Sequence, residues 1–200
     1  MYHPFITGER VYLRGIERSD LEGEYFQWLN EYQVTMFTEA GRFPNTKEAM
    51  EEYYRNVVLS NNNALFAIID KKSDQHIGNI KLGPIDWYHR RAFLAYMIGN
   101  KDFWGKGYTA EVIKLIFEYG FIRLGLNKIC SRVAANHPAS LKACEKAGLV
   151  VEGRAKSEFY FQGEYYDALY LGITRENFLV SYKSRPDWRQ TEIGYRKDEG

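Results

Sequence analysis

The stretch "DFWGKGYTAEV", residues 102–112, sets two glycines around a lysine just before a long amphipathic run. Val112, Leu115, Ile116, Tyr119 and Ile122 recur at helical spacing, which predicts a helix over 109–124. The segment before the loop, "RRAFLAYMIG" (90–99), reads as a strand. A glycine loop between a strand and a helix N-terminus can point several backbone N–H groups at one anion, where the helix dipole also favours negative charge. The loop lacks the G-x-x-x-x-G-K-[ST] pattern of a nucleotide P-loop. It also lacks the third glycine of a dinucleotide fingerprint, because residue 110 is alanine. Taken alone, it is equally a tight strand-to-helix turn.

Working outward, "RVYLRGI" (10–16) alternates as a strand, and Ser19 or Asp20 is placed to cap a helix through "LEGEYFQWLN". Asn45 with Glu48 gives a capping-box pattern that opens a second helix over 45–60. "ALFAIID" (64–70), "HIGNIKLGPID" (76–86) and the strand over 90–99 form a meander. After the helix at 109–124 come a strand over 127–135 and a helix that begins at Pro138 and stops at Gly148. Two long strands then flank the turn "QGE". Hairpins mixed with helical crossovers predict an α+β domain with a mixed sheet. The pattern weakens after Arg175, so one domain is expected over 1–178, followed by a polar tail over 179–200 carrying Trp188 and Tyr195.

Lys+Arg 27 against Asp+Glu 26 gives a net charge of +1, without the basic excess of a nucleic-acid binder. No apolar run approaches membrane-spanning length, and "MYHPFITGER" lacks the features of a signal peptide, so a cytoplasmic protein is expected. Cys130 and Cys144 form neither a disulfide framework nor a zinc motif, and no metal is expected.

The whole of 102–153 resembles the acyl-CoA-binding core of the GNAT acetyltransferase superfamily, nearest the branch of the Rim ribosomal-protein alanine acetyltransferases. The resemblance rests on Trp104-Gly105-Lys106-Gly107-Tyr108-Thr109, on Asn136, and on Glu145-Lys146-Ala147-Gly148-Leu149, in that order and spacing. It implies a mostly antiparallel sheet splayed at an acyl-CoA cleft and flanked by helices. It also implies that amides from Gly105 to Ala110 hold the pyrophosphate of acetyl-CoA, and that Tyr96, Met97 and Ile98 pair with the pantetheine arm. Asn136 would then touch the pantetheine amides, and Lys106, Lys142 or Lys146 the ribose phosphate.

Three positions depart from the family pattern. Thr109 stands where the loop usually ends in Gly or Ala, and its hydroxyl can cap the helix. Phe93 replaces a glutamate that serves relatives as general base, and Cys144 replaces a tyrosine that protonates the leaving thiolate. Cys144 is thus a candidate acid or a small buried residue. His89, in "DWYHRRAF", is the candidate base, since an imidazole titrates near neutral pH. Asp86, Trp87 and Arg90 share its turn, and Glu158 and Tyr166 lie on the C-terminal hairpin; these five are the candidate acceptor contacts.

The implied activity is N-acylation, most simply acetylation, of a primary amine by a monomer or homodimer with no nucleic-acid or membrane partner. "HIGNIKLGPIDWYHRRAF" is similar to sugar-amine acyltransferases, so a nucleotide-linked amino sugar is the favoured acceptor, with Arg90 and Arg91 on the diphosphate. A protein N-terminus, a non-catalytic CoA sensor and a plain interaction domain are the other readings. A polyamine fits the basic "HRR" segment less well.

Overall fold

The computed structural model describes residues 3–183. In chain order the strands are β1 (Ile6–Thr7), β2 (Val11–Gly15), β3 (Ala64–Asp70), β4 (His76–Asp86), β5 (Arg91–Ile98), β6 (Lys128–Ala134), β7 (Val150–Phe161) and β8 (Glu164–Thr174). The helices are α1 (Glu24–Asn30), α2 (Tyr32–Thr35), α3 (Lys47–Tyr53), α4 (Tyr108–Glu118), α5 (Pro138–Ala147) and α6 (Arg175–Lys183). The strands form one sheet in the order β1-β2-β3-β4-β5-β6-β8-β7. Only β5 and β6 run parallel, and they pair over just three positions, from Arg91–Lys128 to Phe93–Cys130. This is the mixed, mostly antiparallel, splayed sheet expected from the sequence.

The apolar run of β3 fails to alternate because both of its faces are covered. Phe66 and Ile68 enter a core with Ile113, Ile116 and Phe117 of α4 and Leu171 of β8. Leu65, Ala67 and Ile69 join a second core with Tyr25 and Trp28 of α1 and Met50 of α3. α4 and α5 both follow parallel strands, so their N-termini lie at the edge where β5 and β6 end.

Several local expectations are corrected by tertiary contacts. Thr46, not Asn45, caps α3, accepting from the Ala49 N–H at 3.2 Å. The Asn45 amide instead donates to the carbonyls of Leu29 (2.9 Å) and Ala40 (2.8 Å), which ties the preceding loop to α1. Neither Ser19 nor Asp20 caps α1. Both lie in a 3-10 turn at Arg18–Glu22, where Asp20 accepts from the Glu17 N–H at 2.8 Å. α6 runs through the boundary placed at 178: Phe178 and Tyr182 are buried against the main core, and the Tyr182 hydroxyl donates to Glu118 at 3.0 Å. Trp188 and Tyr195 lie outside the described residues. No helix among the described residues is long and apolar enough to cross a membrane.

The Arg14 guanidinium grips Asp20 through two hydrogen bonds of 2.7 Å, with side-chain exposures of only 13% and 8%. Burial pushes the Asp20 carboxyl up, but the bonds from Arg14 and the Glu17 N–H outweigh it and leave it below the ordinary carboxylate range. A depressed folded pKa adds stability above the unfolded value of roughly 4, and this is lost as pH falls through the folded value. Arg14→Ala strands a buried carboxylate and is expected to cost about 3 kcal/mol in urea unfolding at pH 7. The deficit should shrink toward pH 3, where protonating the stranded Asp20 relieves the unpaired charge; a deficit that does not vary with pH would refute this account.

Candidate active site

The loop after β5 is built for backbone donors. Gly105 (φ 71°) and Gly107 (φ 80°) take the left-handed conformation, and Gly107 is the N-cap of α4. No side chain caps α4, so the expected Thr109 cap is absent and the first-turn N–H groups, from Tyr108 to Ala110, remain for a ligand. A Cβ at Gly105 would meet nothing within 4 Å, so the loop faces open space. Its residues fit an anionic diphosphate. Lys106 lies beside it, its ammonium 5.9 Å from the centre of the Phe103 ring.

Sequence reasoning missed the residue that braces this loop. Arg10, at the foot of β2, donates from Nε to Glu111 (2.8 Å) and from Nη1 to the Lys106 carbonyl (2.9 Å). Its backbone N–H bonds the same glutamate at 2.8 Å, and its guanidinium lies 4.4 Å from the centre of the Tyr108 ring. The Tyr108 hydroxyl donates to Asp70 at 3.0 Å. By drawing the Lys106 carbonyl inward, Arg10 leaves the loop's amides facing out. Only its distance in sequence from residues 105–111 hid it.

Beyond Phe93, β5 is free of β6. Ser131 of β6 donates its hydroxyl to the Leu94 carbonyl at 3.2 Å, and the Trp104 indole N–H folds back to the Ile98 carbonyl at 2.7 Å. Both carbonyls therefore face the gap. Strand alternation places the N–H and C=O of Tyr96, midway between them, on that same open edge. The Tyr96 side chain crosses toward α5, its hydroxyl 2.7 Å from Ser140 Oγ and 3.3 Å from Cys144 Sγ. Burial first, and the neighbouring thiol second, push the Tyr96 phenol well above its ordinary range. Cys144 is fully buried, and burial pushes its thiol up, away from the thiolate that a nucleophile requires.

Asn136 sits at the β6–α5 junction with its side-chain oxygen buried and unpartnered among the described residues. The next residue, His137, stacks on Phe37 at 4.1 Å between ring centres. Lys146 is exposed in the last turn of α5, at the opposite sheet edge from the glycine loop, so this fold does not gather it with Gly105 and Gly107.

On the other face of β5 lies a cleft of about 630 Å³. Its floor is Asn79 and Lys81 of β4 with Ala95, Tyr96 and Met97 of β5. Tyr25 and Leu29 of α1, Met50 and Tyr53 of α3, and Thr38, Glu39 and Asn45 of the intervening loop form its walls. Tyr96 thus borders both the cleft and the gap. The sequence marked the wall helices by their capping patterns but offered no motif to set them over β5.

The cleft and the expected acceptor contacts do not coincide. His89, Asp86, Trp87 and Arg90 cluster at the β4–β5 turn, before Arg91, which begins β5 about 13 Å from Ala95 at strand spacing, and none of them lines the cleft. The His89 N–H donates to Asp86 (2.9 Å), Trp87 Nε1 to the Asn61 carbonyl (3.2 Å) and Arg90 to the Gly125 carbonyl (3.3 Å). Arg91 pairs with Asp86 at 3.4 Å. These are contacts that hold a turn. Glu158 accepts from Tyr170 (2.7 Å) and Arg132 (2.6 Å), which hold its carboxyl below the usual range, and Tyr166 donates to Glu164 at 2.6 Å. Neither Glu158 nor Tyr166 lines the cleft.

Two substitutions test the loop. Gly107→Glu strains a left-handed position and sets a carboxylate at the helix N-terminus, so calorimetry should show CoA affinity falling at least about tenfold. Arg10→Ala should raise the KM for acetyl-CoA about tenfold while kcat changes little. A kcat loss without a KM change would remove Arg10 from this role.

A family model for the acetyltransferase (GNAT) domain matches residues 10–150. The spermidine N(1)-acetyltransferase of Vibrio cholerae is 29% identical over 167 residues, covering 84% of this chain and 94% of that protein. A crystal structure of spermidine N-acetyltransferase from Vibrio cholerae with CoA and spermine superposes with a TM-score of 0.77 at 27% identity, covering 85% of this chain and 98% of that one. A putative ribosomal N-acetyltransferase of Bacillus subtilis, YdaF, is 29% identical over 101 residues, 50% of this chain and 55% of its own. The glycine loop, the splayed strands and these matches agree: the chain belongs to the GNAT acetyltransferase family and is an acyl-CoA-dependent N-acetyltransferase.

Proposed function

We propose that this enzyme acetylates the primary amine of an amino sugar bound in the cleft, with acetyl-CoA as donor along the glycine loop and the open edge of β5. The observation that carries the acceptor is the make-up of the cleft floor. Asn79 offers an amide N–H pair with no partner among the described residues, and Lys81 offers an ammonium beside it. Among the described residues, Glu39 is the one carboxylate in the lining. An amino sugar matches this with hydroxyl and ring oxygens for the donors and an apolar ring face for Tyr25 and Tyr53.

The chemistry divides among the chain's own groups. The acetyl thioester supplies the acyl group. The Tyr96 N–H on the open edge is the donor placed for the developing oxyanion. The Tyr96 phenol, buried under α5 beside Ser140 and Cys144, is the O–H assigned to protonate the departing thiolate. Burial lowers the Lys81 pKa, so more of this lysine than of a solvated one is neutral and able to take the proton that the acceptor ammonium must lose before it attacks. His89 is not used, and the diphosphate contact expected of Arg90 and Arg91 forms no part of this reading.

A polyamine acceptor is the second reading, favoured by the relatives that act on spermidine. A polycation at neutral pH needs several carboxylates, whereas the lining sets Lys81 against Glu39.

Thiol release from acetyl-CoA, measured with amino sugars, nucleotide-linked amino sugars, short peptides and spermidine, decides between them. Turnover is expected with a sugar amine and at least about tenfold weaker with spermidine; the reverse order would transfer the assignment to polyamines. Tyr96→Phe should lower kcat about 100-fold with the acetyl-CoA KM nearly unchanged. Cys144→Ala should retain activity within a few-fold, and a complete loss would overturn the reading of Cys144 as a buried neighbour.

A further inference from the structure

Asn79 sits in the middle of β4, opposite Met97 of β5 and Ala67 of β3, and is only 5% exposed. Its orientation follows from a chain of hydrogen bonds beneath the cleft. His76 Nε2 lies 2.9 Å from the Gly78 carbonyl and 2.9 Å from Asn79 Oδ1. A carbonyl can only accept, so Nε2 carries the proton, and the Asn79 atom facing it must be the oxygen. The Asn79 Nδ2 is then turned the other way. It is buried, has no partner among the described residues, and belongs to a residue lining the cleft.

The arrangement is held from below. The other ring nitrogen of His76 is 3.7 Å from Asp20, which Arg14 grips. The Trp28 and Tyr25 rings pack against the imidazole with centres at 5.1 and 6.3 Å. Burial lowers the His76 pKa, and the two acceptors facing Nε2 set the tautomer. A buried amide donor left unpaired is costly, and an acceptor oxygen bound in this cleft is a partner able to satisfy it. Lys81, two residues along the same face of β4, adds a second donor.

We infer that Asn79 is a specificity-determining residue, whose fixed N–H pair binds an acceptor oxygen carried next to, or one atom beyond, the carbon bearing the reactive amine. This deepens the amino-sugar reading and rests on its placement of the acceptor in the cleft. It selects by chemistry: a sugar amine brings hydroxyl and ring oxygens, whereas every nitrogen of a protonated polyamine is a donor and leaves Asn79 unsatisfied.

The test compares cyclohexylamine with the two stable aminotetrahydropyran isomers, in which a ring oxygen replaces one methylene. Their affinities for the full-length enzyme loaded with CoA are measured by calorimetry. At least one isomer is expected to bind about tenfold tighter than cyclohexylamine. Asn79→Asp keeps the shape and the bond from His76 but loses the donor pair; it should erase the preference while CoA still binds. Asn79→Ala should do the same. Absence of preference in the unaltered enzyme, or a preference that survives in both variants, would overturn the inference. Acetyl transfer to the same amines is followed in parallel. A preference that depends on Asn79 without any acetylation would sink the proposed function yet leave the donor standing. Acetylation without preference would do the opposite.

Discussion

The parallel pairing of β5 with β6 lasts three residues, and the site depends on where it stops. Where backbone pairing ends, the Ser131 hydroxyl takes the Leu94 carbonyl in place of a β6 amide. The strands then diverge, and a stretch of β5 edge that would be saturated in a regular sheet is left with open hydrogen-bonding groups. Both helix N-termini and the glycine loop lie at that same edge because the crossovers on either side start there. The donor seat is therefore a product of topology: one short parallel pair inside an otherwise antiparallel sheet.

The acceptor side follows from the opposite face of the same strands. α1 and α3 cover β3 and β4 but stand off from the C-terminal half of β5, and the space left is the cleft. Its floor is polar at Asn79 and Lys81, and both are half-finished interactions: an amide with its oxygen engaged and its nitrogen free, and an ammonium partly removed from water. Protein interiors rarely keep such groups without a role. Tyr96 belongs to both sides, with backbone at the gap, phenol under α5 and its surface in the cleft.

The sequence was most legible where function rides on local backbone. Gly105, Gly107 and the helical run after them mark a strand-to-helix turn with free first-turn amides, because left-handed turns and helix N-termini are local properties. It was least legible where a role depends on which end of a strand a residue occupies. His89, Asp86, Trp87 and Arg90 share the β4–β5 turn, away from the cleft. Glu158 carries a carboxylate whose partners, Arg132 and Tyr170, come from two other strands. Arg10 and Asn79 were invisible because their roles exist only through contacts made across the fold.

Local periodicity and turn chemistry by themselves determined the strands, the helices and the α+β class. Covalent neighbours and a few hydrogen bonds are enough to encode each of these. Only the tertiary structure decided which carboxyls are neutralised, which amide is left unpaired, and which aromatic helices wall the cleft. The physical reason is that burial and hydrogen-bond partnership are properties of the packed neighbourhood, and that neighbourhood joins residues up to about a hundred positions apart, as Arg10 and Glu111 are.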